Sequence, residues 1–324
     1  MNKELEIWRF AAEKLEQNEL VVLLVVAESS GSSPGRHGFK MIVARDNLCG
    51  SIGGGVMEVN LAEQARATLS AASESAAASV KLQTHRKNSA NPSGMICSGE
   101  QTVIFFKLDP SYLKTVEEII DALEKNTTKI VRITQDKFNL RILKKEEQPK
   151  GWTQNDDSAD FVYEEKLGHA NKLFIVGGGH CALALSELMS KMDFHISLFD
   201  DRPGLNTLDK NKFVHRQNII ESYENIAEFI PGGEDHFVVV MTLGYKSDEL
   251  VIRKLLGREF KYFGVLGSKA KMKTLLKELE KDGFTRAQLD KIRTPIGLPI
   301  NSRTPEEIAV SIAAEIIAVK NSAK

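Results

Sequence analysis

The sequence predicts an α/β protein in two parts: a mixed α/β domain over residues 1–168, then a domain over 169–324 built on a parallel sheet covered by helices. Three observations predict it. A chain of 324 residues with 42% hydrophobic content is long enough for roughly two buried cores. From residue 171 onward, strand-like and helix-like segments alternate, the pattern of a parallel sheet with crossover helices. Before that point the short apolar runs follow one another across turns, the pattern of antiparallel pairing.

The elements follow in order. "MNKELEIWRFAAEKLEQNEL" reads as an amphipathic helix with charges every few residues. "LVVLLVVAES" is a continuous apolar run that enters the loop "SSGSSPGRHG", as a buried strand does. "FKMIVARDNLCGSI" reads as two short strands about the turn at Arg45, Asp46 and Asn47. "GVMEVNLAEQARATLSAASESAA" is a long helix of good formers, and "EQTVIFFKLD" a further strand. Residues 111–170 are mixed: "SYLKTVEEIIDALEKN" has helical periodicity, "KIVRITQ" and "NLRILKK" read as strands, and "EEQPKGWTQNDDSAD" as a polar turn region. The C-terminal part gives "KLFIVGG", "CALALSELMSKM", "HISLFDD", "FVVVMTL", "ELVIRKLL" and "YFGVLGS". A last helix, "RTPEEIAVSIAAEIIAV", starts with Thr304 as N-cap, Pro305 in its first turn and Glu307 as capping-box partner.

Composition excludes several classes. Net charge is −1 with both signs interspersed, so no polyanion footprint exists and nucleic-acid binding is not expected. The longest apolar run is far too short to span a bilayer, and neither a signal peptide nor a membrane anchor is visible, so a cytoplasmic protein is expected. Three cysteines, Cys49, Cys97 and Cys181, without CxxC spacing argue against a disulfide framework or a closed zinc site.

Two triple-glycine stretches carry the chemistry. In "FIVGGGHCALAL", Gly177-x-Gly179-x-x-Ala182 follows a strand and opens a helix, and about twenty residues on a second strand ends in Asp200 and Asp201, where an acid meets a ribose hydroxyl. This is the dinucleotide fingerprint and makes the C-terminal domain Rossmann-like. The competing reading keeps the turn for packing and holds no dinucleotide. Asp200 favours NAD over NADP, while adjacent Arg202 pulls the other way. His180 reads as a loop residue.

"CGSIGGGVMEVN" fails the same test, because Glu58 stands at the third fingerprint position. It offers flexible amides at a helix start, a place for an anion such as a phosphate-bearing cofactor. The alternative is a close-packed turn in which Glu58 complements the helix end. Arg36, His37 and Lys40 are candidates for a cationic rim. Cys97, between glycines in "SGMICSGEQ", is a candidate soft metal ligand or sulfur carrier, whereas Cys49 lies in a strand pattern and Cys181 at a helix start. No Ser-His-Asp, HExxH or P-loop pattern is present.

Taken together, "ESSGSSPGRHGFKMIV", "GSIGGGVMEVNLAEQA", "GMICSGEQTVIFF", "FIVGGGHCALAL", "YFGVLGSKAKM" and "PIGLPINSRTPEEIAVSIAAEIIA" resemble, in order and spacing, the xanthine dehydrogenase accessory factor family, XdhC/CoxI, from about residue 20 to 320. The resemblance implies a maturation factor rather than a metabolic enzyme. Such a protein binds the molybdenum cofactor (molybdopterin), assists its sulfuration with a cysteine desulfurase, and delivers it to a molybdenum hydroxylase apoenzyme such as xanthine dehydrogenase. The implied cofactor region is the loop from Ser32 to Lys40, the turn Gly53, Gly54, Gly55 with Glu58, and the segment Gly94 to Gly99 with Cys97 as a molybdenum or sulfur contact. Val56 stands where many relatives carry a cysteine, so a two-thiol site is not expected; Ser98 and Gly35 are further departures. The Rossmann half is expected to dock a partner or bind NAD(P) or another nucleotide. The rival reading is an NAD(P)-dependent oxidoreductase with His180 and Tyr245 as its conceivable donors, and a third is a ligand-free scaffold. A homodimer is the default assembly.

Overall fold

The computed structural model describes residues 3–70, 77–84, 99–125, 127–143, 147–155, 160–168 and 171–322. The chain divides into two compact units, residues 1–168 and 169–324.

The first unit begins with α1 (Lys3–Glu16), β1 (Val21–Gly31), β2 (Lys40–Val43), β3 (Leu48–Gly50), α2 (Gly55–Ser70), β4 (Ala78–Thr84) and β5 (Gly99–Leu108). It continues through α3 (Leu113–Glu124), β6 (Lys129–Thr134), β7 (Phe138–Ile142), β8 (Gly151–Gln154) and β9 (Phe161–Lys166). Its main sheet is antiparallel in the order β3-β2-β1-β5-β4, and a four-stranded sheet runs β7-β6-β9-β8. β1 is apolar without alternation because both of its faces are covered. Val21, Leu23, Val25 and Ala27 meet a core with Trp8 of α1 and Ile119 of α3. Val22, Leu24 and Val26 meet Met57, Leu61 and Ala65 of α2. A register shift in the β1–β5 ladder falls between Val26 and Glu28, at Ala27, whose carbonyl accepts a hydrogen bond from His37 Nδ1 at 2.7 Å.

The strands β4, β8 and β9 went unpredicted. β8 falls in the stretch read as a polar turn region, and β9, to which the sequence reading gave no element, carries Glu164 and Glu165, both buried. Arg132 (3.1 Å) and Arg141 (3.2 Å) hold Glu164, and Lys40 lies 2.6 Å from Glu165. Burial of such charges is tolerable only when they are paired.

The second unit holds β10 (Asn171–Val176), α4 (His180–Met189), β11 (Phe194–Asp200), α5 (Asn206–Lys210), β12 (Arg216–Ile219), α6 (Ile226–Phe229), β13 (Gly233–Val240), α7 (Tyr245–Leu255) and β14 (Phe260–Val265). It ends with α8 (Lys269–Lys281), α9 (Arg286–Leu289), β15 (Ile292–Arg293) and α10 (Pro305–Asn321). All six strands are parallel, ordered β12-β11-β10-β13-β14-β15, the doubly wound arrangement in which chain order reverses beside β10. α4 and α10 cover one face, with Ala182, Leu185, Ile312 and Ile316 in that core. α7 and α8 contribute Val251, Ile252, Leu275 and Leu279 to the core on the other. The predicted cap of α10 is present in full, with Thr304 and Glu307 bonding reciprocally. Among the described residues no helix is long and apolar enough to cross a membrane.

Candidate functional site

Each triple glycine lies at the start of a helix, and each is closed by a carboxylate from the chain itself. In the first, Gly53, Gly54 and Gly55 all have positive φ (128°, 78° and 71°), so backbone conformation alone demands all three glycines. A Cβ on Gly53 would also lie 2.5 Å from Gly35 N, which locks the turn against the loop of Ser32 to Lys40. Glu58 Oε2 accepts from the Ser51 hydroxyl (2.6 Å), Ile52 N–H (2.8 Å) and Gly54 N–H (2.9 Å). Of the amides expected to meet a phosphate, that of Gly54 is therefore taken by Glu58 and that of Gly53 by the Ser51 hydroxyl at 3.2 Å.

Gln101, which the sequence reading missed, joins these pieces. Its Oε1 accepts from the Ser33 hydroxyl (2.7 Å) and Gly35 N–H (3.1 Å), and its Nε2 donates to the Ile52 carbonyl (3.2 Å). The available signal was a polar residue on the same side of β5 as Val103 and Phe105, two and four positions on.

The expected cationic rim separates. Arg36 is exposed and donates to the Gly31 carbonyl at 3.2 Å. His37 is exposed, with its ring 5.5 Å from that of Tyr163. Lys40 is only 7% exposed, and its ammonium lies 2.6 Å from Glu165 and 2.9 Å from Glu4. Burial alone would lower its pKa, but Glu165 and Glu4 outweigh burial and raise it. Its charge is spent inside the unit. Gly94 and Cys97 lie outside the described residues. Burial pushes the thiol pKa of Cys49 up, helped by Glu6, and that of Cys181 likewise, helped by Glu306, so both disfavour the thiolate. Among the described residues no group of three His, Cys, Asp or Glu gathers to hold a metal.

The second triple glycine is built differently. Only Gly177 has positive φ (109°). Its neighbour Gly178 is required by packing, since a Cβ there would lie 2.5 Å from Leu208 Cδ2. Ala182 is fully buried at the helix–sheet contact, the place of the third fingerprint residue. Asp200, at the end of β11, is wholly buried and turned inward: its oxygens accept from Gly178 N–H (2.6 Å), Arg202 N–H (2.8 Å), Arg202 Nε (2.9 Å) and Arg202 Nη2 (2.8 Å). Burial opposes its ionisation, but the Arg202 fork and the two backbone donors prevail and hold its pKa below the usual carboxylate range. Of the oxidoreductase candidates, His180 is exposed, and the Tyr245 hydroxyl donates to Glu278.

Comparison with known proteins agrees with both halves. Residues 173–316 match the XdhC Rossmann domain, and residues 14–79 match the XdhC and CoxI family. The chain is 24% identical over 323 residues to the uncharacterized protein YqeB of Escherichia coli K12, covering 98% of this chain and 47% of that protein. It is 28% identical over 163 residues to a probable xanthine dehydrogenase subunit of Bacillus subtilis, covering 50% of this chain and 46% of that one. The chain thus spans about half the length of the curated relatives it matches. A crystal structure described as a xanthine dehydrogenase from Bacillus halodurans superimposes with a TM-score of 0.72 at 22% identity, over 98% of this chain and 96% of that one, and so shares its fold. With its two family matches falling one in each unit, and in the same order, the chain belongs to the XdhC and CoxI family.

Proposed function

We propose that this protein is a maturation factor for a molybdenum hydroxylase of the xanthine dehydrogenase type, holding the molybdenum cofactor on its N-terminal unit. Family membership across both units carries the reading, and the named relative and structural neighbour point to the same partner class. The cofactor, a phosphate-bearing pterin, would supply the metal that the recipient enzyme needs.

The described residues fit such a group at some points and not at others. Arg36 is an exposed cation suited to a phosphate. Gly54 has open space where a Cβ would stand, so a flat ligand can approach the backbone there. The Gly53 and Gly54 amides do not fit a phosphate cradle while the Ser51 hydroxyl and Glu58 hold them; Glu58, which also takes the Ile52 amide, instead fixes the turn's shape. Gln101 keeps the Arg36 loop and the glycine turn in one register. In this reading Arg36 meets the phosphate and Cys97 contacts sulfur or metal. Sulfuration with a cysteine desulfurase and transfer to the apoenzyme follow from the family resemblance.

The test is cofactor retention. The full chain is mixed with molybdenum cofactor and passed through gel filtration, and the protein peak is assayed for molybdenum and for oxidised-pterin fluorescence. Co-elution is expected, and Arg36→Gln is expected to weaken it about tenfold, the loss of one charge-assisted contact of roughly 1.4 kcal/mol. Absence of co-elution with folded protein would overturn the reading.

A further inference from the structure

The amino ends of β14 and β15 carry more positive charge than the chain itself neutralises. β15 covers the outer edge of β14 only at Phe263 and Gly264, so Phe260, Lys261 and Tyr262 have no strand beside them on that side. A cavity of about 350 Å³ opens there. It lies at the opposite end of the sheet from the carboxyl ends of the strands, where doubly wound folds take their nucleotides. Its volume is at the lower end of the roughly 300–1,000 Å³ of small-molecule sites.

Four lining residues are cations, Arg258, Lys261, Lys291 and Arg293, against one acid, Asp290. Asp290 is already answered by Arg286, 3.0 Å away. Lys291 lies 2.6 Å from Glu259, and Arg293 lies 3.6 Å from Glu315, so those two cations have carboxylates of their own. The other two do not. Arg258 donates to the Ile230 carbonyl at 2.7 Å, which holds the guanidinium in place without neutralising it and leaves about four of its donors for a ligand. Lys261 is half-buried, and among the described residues no hydrogen bond or ion pair engages its ammonium. Drawing a charge partly out of water without a partner costs free energy, and a bound anion would recover it. Behind these charges the wall is apolar, formed by Leu256, Phe260 and the Tyr262 ring, over which Arg293 lies 6.0 Å from the centroid.

Two unneutralised cations in one small cavity call for two negative charges on a compact head. A phosphate monoester carries nearly that at neutral pH, and a single carboxylate does not. We infer that the C-terminal unit binds a small phosphate monoester in this cavity, with Arg258 and Lys261 on the phosphate and Phe260 beside the apolar body of the ligand. The inference stands apart from the maturation role, since its residues all lie within 256–293 and its test needs no molybdenum.

The experiment is calorimetric titration of the full chain with phenyl phosphate, inorganic phosphate and benzoate at one ionic strength. Phenyl phosphate is expected to saturate a single site, with inorganic phosphate about tenfold weaker for want of the apolar body and benzoate at least about tenfold weaker for want of the second charge. Lys261→Gln is expected to weaken phenyl phosphate about tenfold at an unchanged melting temperature, because no internal bond is lost. Arg258→Gln should weaken it by a similar factor; if loss of the Ile230 bond unfolds that variant, Lys261→Gln alone decides. Lys254→Gln, on α7 and outside the cavity, should bind as wild type does. No phenyl phosphate binding at about 1 mM, unaltered binding by Lys261→Gln, or either inorganic phosphate or benzoate binding as tightly as phenyl phosphate would each overturn the inference.

Discussion

The two glycine turns look alike as text and solve different problems. At Gly53–Gly55 the closing carboxylate is local: Glu58 comes from the first turn of the helix the glycines open, and three positive φ angles make every glycine a backbone necessity. At Gly177–Gly179 the closing carboxylate comes from a neighbouring strand, 22 residues beyond Gly178, and carries an arginine with it. There one glycine serves the backbone, one serves packing, and the third serves nothing inside the chain. The same three letters thus arise from three different constraints at one turn and from a single one at the other.

Substitutions can break this comparison. The largest effect is expected at Asp200→Asn, which sets an amide NH2 against two of the four N–H donors that Gly178 and Arg202 direct at the buried carboxylate and should destabilise the C-terminal unit by about 4 kcal/mol. Denaturant melts of variant and wild type would measure it, and a loss below about 1 kcal/mol would make the latch equivalent to a surface pair. The same carboxylate predicts a pH dependence. Its folded pKa is lowered, so its contribution is complete well above the unfolded value of about 3.9 and disappears as pH falls through that value and then the folded one. Wild type and Asp200→Asn should therefore converge in stability only in strong acid.

Next comes Gly53→Ala, expected to cost about 3 kcal/mol because its Cβ would collide with the Pro34–Gly35 backbone and its φ is left-handed. Thermal unfolding of the N-terminal unit reads this, and a near-neutral result would show that the two loops are not locked. The smallest effect belongs to Glu58→Gln, about 1 kcal/mol, since an amide oxygen can still accept from Ile52 and Gly54. If this variant were as damaging as Asp200→Asn, the local and long-range closures would be energetically alike.

The Rossmann half was legible because its signals are local: an apolar strand, a glycine turn, a helix, and a strand ending in an acid. β9 was not, because Glu164 and Glu165 look like solvent-facing residues until Arg132, Arg141 and Lys40 are brought to them from distant segments. The same limit applied to the site. Lys40 in a loop of cations reads as part of a rim, and only the fold shows Glu4 and Glu165 neutralising it. Asp200 was placed correctly at its strand end, but which donors its oxygens take depends on Gly178 and Arg202 in three dimensions. The three bonds of Gln101 join segments 66 and 49 residues away, beyond any periodicity.

Those three bonds also set the unit of exchange for anyone redesigning the surface. Because one buried amide is shared by the Ser33–Gly35 segment and the turn at Ile52, neither loop can be transplanted to another scaffold or swapped with a homologue's alone. The graft that keeps its shape is both loops together with the strand start that carries Gln101.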